Sequence, residues 1–129
     1  MNQSTASQHF QGLRTVIYAA PDLEKAKAWY SSILGIAPYF DEPFYVGFEV
    51  GGFELGLLPD ATPDTSGPQT LWGVADAEAA CARLLALGAT ALEPVHEVGE
   101  GIKVGAVVDP FGNRFGIIEN PLFDRAKVR

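Results

Sequence analysis

The sequence predicts an α+β protein of two βαβββ modules, with mixed β-sheets curved around an open cavity. Three observations carry this prediction. A strand-like run followed by a helical pattern occurs twice, at a period of about 54 residues. Each helix opens at an aspartate, Asp22 or Asp76, and closes at a Leu-Gly pair, Leu34-Gly35 or Leu87-Gly88. Each helix is followed by short apolar runs separated by turn chemistry: Gly51-Gly52 in the first half, Asp109-Pro110-Phe111-Gly112-Asn113 in the second.

The elements follow in order. Residues 1–11 are polar and read as a flexible tail, without the basic and apolar regions of a signal peptide. The first module spans 12–60. Its first strand, 13–20, is rich in β-branched and aromatic residues. A helix follows from Leu23 to Gly35, with Leu23, Ala26, Trp29, Tyr30, Ile33 and Leu34 on one face at helical spacing. Strands are expected at 38–41, 45–50 and 53–58. Residues 61–68 form a linker rich in Pro, Asp, Thr, Ser and Gly. The second module spans 69–119, with strands at 69–75, 91–94, 102–108 and 113–118 and a helix from Asp76 to about Leu87. Residues 120–129 form a C-terminal tail. The repeat aligns 15–20 with 70–75.

Composition narrows the function classes. The 129 residues are 47% apolar and 19% charged, ordinary for a globular chain. A net charge of −7 with no basic cluster argues against nucleic-acid partners and anionic membrane surfaces. No apolar run approaches the roughly 18 residues of a membrane span. Cys81 is the single cysteine, set in an apolar helical pattern as a buried, inert thiol. These features point to a cytoplasmic protein.

The sequence resembles the vicinal oxygen chelate superfamily of glyoxalases, bleomycin-resistance proteins and dioxygenases. The likeness is carried by the strand and helix from Thr15 to Tyr30, by Leu34-Gly35, and by the hairpin from Asp109 to Glu119. The resemblance implies the duplicated fold, pairing as a homodimer, and in the family's enzymes a divalent metal held by His and Glu from four strands. Those positions fall on Thr15, Gly56, Thr70 and Gly116. Glycine offers no ligand and a neutral hydroxyl is a poor one, so no metal or other cofactor is expected. His9 and His96 show no metal-ligand spacing.

Strand alternation sets the rest of the cavity. The open face is expected to carry Thr15, Ile17 and Ala19, then Glu54, Gly56 and Leu58, then Thr70, Trp72 and Val74, then Arg114, Gly116 and Ile118. Val16, Tyr18, Phe53, Leu55, Leu57, Leu71, Phe115 and Ile117 are expected beneath the helices. The expected ligand-binding residues are Trp72 as a flat wall, Glu54 and Arg114 as charges, and Thr15, Thr70 and Phe48. Tyr45 and Phe48 have opposite parity, so only one of the two faces the cavity. A general base would have to be Glu54 or His96, and no catalytic residue is assigned. The leading reading is a metal-free protein that binds a small molecule, with an acidic character suited to a cationic or zwitterionic compound. The alternatives are a glyoxalase-like lyase, isomerase or dioxygenase, and a protein-interaction module.

Overall fold

The computed structural model describes residues 13–66, 69–124 and 126. The expected N-terminal tail lies outside the described residues. In the first module β1 (Thr15–Ala19) leads into α1 (Leu23–Leu34), followed by β2 (Phe40–Glu42), β3 (Tyr45–Val50) and β4 (Phe53–Leu58). In the second, β5 (Leu71–Gly73) leads into α2 (Ala77–Ala86), then β6 (Thr90–Gly99), β7 (Ile102–Val108) and β8 (Arg114–Glu119). The sheets have the same topology, β1-β4-β3-β2 and β5-β8-β7-β6. The first strand of each pairs parallel to the last, and the other pairs are antiparallel. Neither sheet closes on itself.

Local chemistry explains the boundaries. The Asp22 carboxylate accepts from the Lys25 N–H at 3.3 Å, and Asp76 accepts from Ala79 at 3.0 Å, satisfying N–H groups that helix starts leave unpaired. Gly35 ends α1 at φ 71°, a left-handed conformation that costs glycine little. The helix face buries Leu23, Ala26, Tyr30 and Ile33. Its Tyr30 is fully buried and meets Phe48, Leu55, Leu57, Phe115 and Ile117 in one core cluster drawn from both modules.

Polar contacts join the modules as well. Tyr30 Oη donates to Asp109 Oδ2 at 2.6 Å. Asn113 Nδ2 donates to Ala19 O at 2.7 Å, and Trp29 Nε1 to Leu87 O at 2.7 Å. Arg83 reaches Ile33 O at 2.8 Å.

Two elements differ from expectation. β5 is only three residues long and excludes Thr70. β6 is ten residues long, running through Pro94 with three register shifts. Proline is tolerated there because β6 is an edge strand, where an N–H can be missing without breaking a central ladder.

Candidate functional site

Pairing register decides which side chains share the open face. Thr15 pairs with Glu54, Ile17 with Gly56, and Gly47 with Gly56. Tyr45, of the same parity as Gly47, therefore stands on the open face, and Phe48 does not. Phe48 is fully buried in the core beneath the helices. The expectation that Phe48 lines the cavity is corrected: it pairs with Leu55, whose face is the helix side.

The second correction concerns β5. Leu71 pairs with Gly116 and Trp72 with Ile117. Trp72 therefore joins the helix-side core, stacked on Phe115 with ring centroids 5.1 Å apart and planes at 3°. Its indole N–H donates to Tyr18 Oη at 3.0 Å. Leu71, expected beneath the helices, is 45% exposed on the open face instead. Val74 also packs against the core. Phe53 keeps its expected parity but sits at the strand start, 37% exposed. Thr15 stands seven residues before its helix cap; the residue at that spacing before Asp76 is Gln69, not Thr70.

Two clefts flank β1. The first, about 250 Å³, is lined by Arg14, Thr15, Tyr39, Glu49, Phe53 and Glu54. Glu54 is its polar centre, accepting from both the Tyr39 and the Tyr45 hydroxyls. Glycines at 47 and 56 make room for these rings. A Cβ on Gly47 would touch both tyrosines, and one on Gly56 would collide with the Tyr45 hydroxyl. The hydrogen bond to Glu54 raises the Tyr39 pKa. Burial, then the same carboxylate, raises that of Tyr45. Both phenols therefore stay protonated donors at neutral pH. With both oxygens of Glu54 engaged, the cluster is suited to orienting a bound group rather than to removing a proton.

The second cleft, about 270 Å³, lies between the end of β1, the 61–66 loop and the start of β8. Ile17 and Ala19 form an apolar side; Asp64, Thr70 and Arg114 supply polar groups. Arg114 is held by Glu93 at 2.8 Å. Thus Glu54 and Thr15 meet at one cleft, Arg114 and Thr70 at the other, and neither cleft is lined by Trp72 or Phe48. Sequence reading missed Tyr39 and Asp64 as cleft residues and left Tyr45 open against Phe48. Gly47 and Gly56, facing each other across β3 and β4, were the available signal for the tyrosines.

The donor set does not fit a divalent metal at the positions the resemblance implies. Gly56 is covered by Tyr45, and a side chain on Gly116 would run into Thr70 O and Leu71. His96 is exposed, with Nδ1 2.9 Å from Pro94 O and Nε2 3.9 Å from Glu93. Among the described residues, the ligand-type groups that converge are Asp76, Glu78 and Glu119. They lie at the start of α2, where Glu119 accepts from Ala77 N–H at 2.9 Å and Glu78 pairs with Lys103 at 3.4 Å. That is on the helix side, away from both clefts.

A duplicated βαβββ chain with open, cleft-bearing sheet faces defines a class, and the sequence comparison agrees. The model of the Glyoxalase/Bleomycin resistance protein/Dioxygenase superfamily matches residues 9–117, and the chain belongs to that family. No curated protein matches the chain. Among solved structures, a glyoxalase-related enzyme from Fulvimarina pelagi is 23% identical. It matches over 89% of this chain and 92% of its own, with a TM-score of 0.73. A lactoylglutathione lyase from Agrobacterium tumefaciens is 22% identical, over 88% and 97%, with a TM-score of 0.70. A glyoxalase/bleomycin resistance protein from Albidiferax ferrireducens T118 is 20% identical, over 88% and 99%, with a TM-score of 0.67. At these identities the likeness is one of fold. No helix among the described residues is long and apolar enough to cross a membrane.

Proposed function

We propose that the chain binds a small molecule on the open faces of its sheets without a metal ion, as a homodimer in the cytoplasm. The observation that carries this reading is Tyr45 lying over Gly56 and donating to Glu54. A metal-ligand position is filled by a phenol ring, and the neighbouring carboxylate is spent on two hydroxyls. What is left is two open clefts in which polar side chains stand beside apolar surface at Phe53 in one and at Ile17 and Ala19 in the other, a lining suited to a small molecule that carries polar groups of its own. Ile17 and Leu71, each about half exposed, give the open faces apolar surface for a second copy to cover. Pairing of this kind buries roughly 1,600 Å² in a stable complex. The lone Cys81 accords with a reducing compartment.

Native mass spectrometry of protein purified without added ligand tests both claims at once. The expected result is a two-chain mass carrying an organic adduct that denaturation releases, with a melting temperature that chelators leave unchanged. A single-chain mass would remove the dimer. Stoichiometric nickel, zinc, iron or manganese, whose removal lowers the melting temperature, would replace the binding protein with a metalloenzyme.

A further inference from the structure

The first cleft holds an aromatic ring that is exposed and yet fixed. Tyr39 lines the cleft and is 64% exposed, so solvent reaches its ring and its burial contributes little to folding. It is nevertheless tied at both ends. Its backbone N–H donates to Gly47 O at 3.0 Å, and its hydroxyl donates to Glu54. Its ring edge lies over Gly47. A Cβ placed there would stand 3.4 Å from the Tyr39 ring, 3.5 Å from the Glu54 carboxyl carbon and 3.5 Å from the Tyr45 ring. Two phenol rings and a carboxylate thus surround one point on the open face, within the span of one small ligand. An aromatic wall held in place before a ligand arrives loses little freedom when one binds.

Polar atoms of this cleft are spent on one another. Glu54 accepts from both phenols, and Glu49 accepts from the Gly52 N–H. A ligand that binds through hydrogen bonds would have to break these contacts. Charge is not spent in the same way: against Arg14 the lining sets Glu49 and Glu54, an excess of one negative charge that disfavours an anion. A phenol that donates to a carboxylate also takes on part of its negative charge, which strengthens the pull of its ring on a cation. The cleft therefore offers negative potential and ring surface, with Phe53, 37% exposed, as further apolar lining. A cation whose charge is covered by methyl groups uses both and needs no hydrogen bond. The space of about 250 Å³ suits a compound below the usual drug size. We infer that the first cleft binds a small quaternary ammonium compound, its methylated nitrogen against the Tyr39 ring and beside Glu54. This rests on the small-molecule reading above and names the cleft and the class of ligand.

Choline chloride is the probe. Its neutral isostere, the alcohol with carbon in place of the nitrogen, is the control of equal shape. Saturation-transfer NMR on the full chain reads the methyl protons of each, with ionic strength held constant by sodium chloride. Choline should give a transfer signal that saturates, and the isostere should bind about fivefold more weakly, the scale of one exposed cation–π contact. Tyr39→Leu, at an exposed ring, and Glu54→Gln, which keeps the shape of the carboxylate, should each weaken choline by about the same factor. Tyr39→Phe, which keeps the ring, should lose less than Tyr39→Leu. If Glu54→Gln fails to fold, the two Tyr39 variants carry the test. Equal binding of choline and its isostere would overturn the inference, as would the absence of a saturable signal, or an unchanged affinity in Tyr39→Leu. An organic adduct in the native spectrum beside a silent choline titration would sink this inference alone and leave the binding function standing.

Discussion

Trp72 and Phe53 divide the aromatic side chains between core and rim. Trp72 is stacked on Phe115 and bonded to Tyr18, so removing it leaves a cavity and takes one hydrogen bond from the Tyr18 hydroxyl. Trp72→Ala should destabilise the fold by about 3 kcal/mol, the lower end for a large buried aromatic. Phe53→Ala, at a ring 37% exposed, should cost only about 1 kcal/mol on the same scale. Urea denaturation of the two variants checks the order, and a larger loss for Phe53 would contradict the packing described. At this scale β1 and β4 of the first sheet were legible in sequence: Ile17, Tyr18, Leu55 and Leu57 all face as alternation predicts, whereas Phe48 on β3 turns to the core. Trp72 was not legible. Aligning Thr15 with Thr70 places the second strand one residue away from the frame set by Asp22 and Asp76. A slip of one reverses every side chain in a strand. The aspartates are the better anchors because a cap is tied to the helix start by hydrogen bonds, whereas Thr70 lies outside β5.

Among elements, the turn before β8 does more than connect two strands. Asp109 accepts from the Phe111 and Asn113 N–H groups at 2.9 and 2.8 Å, closing the turn. Its other oxygen accepts from Tyr30 on α1 and from Asn113 Nδ2, which also reaches Ala19 O at the end of β1. One buried carboxylate thus ties a turn of the second module to a helix and, through Asn113, to a strand of the first. Tyr30→Phe should cost about 1.5–3 kcal/mol, as for a hydrogen bond to a charged group. Asn113→Ala should cost a similar amount, and the double variant less than the two combined, because both losses fall on one network. A thermodynamic cycle from denaturation curves measures the coupling; strict additivity would mean that Asp109 does not link them. The turn itself was readable from Asp-Pro and Gly-Asn, since those residues have local preferences. Its partner Tyr30, 79 positions away, has no local signature. The length of β6 was hidden for the opposite reason: Pro94 reads as an end wherever the edge position of the strand is unknown.

Across the whole molecule, all four tyrosines sit where ionisation is disfavoured. Burial raises the pKa of Tyr18, and it raises that of Tyr30 strongly, with Asp109 adding to it. Burial and Glu54 raise Tyr45, and the bond to Glu54 raises Tyr39. The clefts and the module interface thereby share one pH response. These groups are raised above their unfolded value of about 10, so the folded state holds more protons than the unfolded one above that pH. The stability they contribute is complete below about pH 10 and is lost as pH climbs through the raised values. Tyrosinate absorbance near 295 nm should stay low in the native protein past pH 10, where free tyrosine is half ionised. It should then rise together with the loss of circular dichroism as the fold opens. In denaturant the same four groups should titrate near 10. Two tyrosines ionising reversibly near pH 10 with the fold intact would show that Tyr39 and Tyr45 do not donate to Glu54. The first cleft would then lose the polar centre on which its binding role depends.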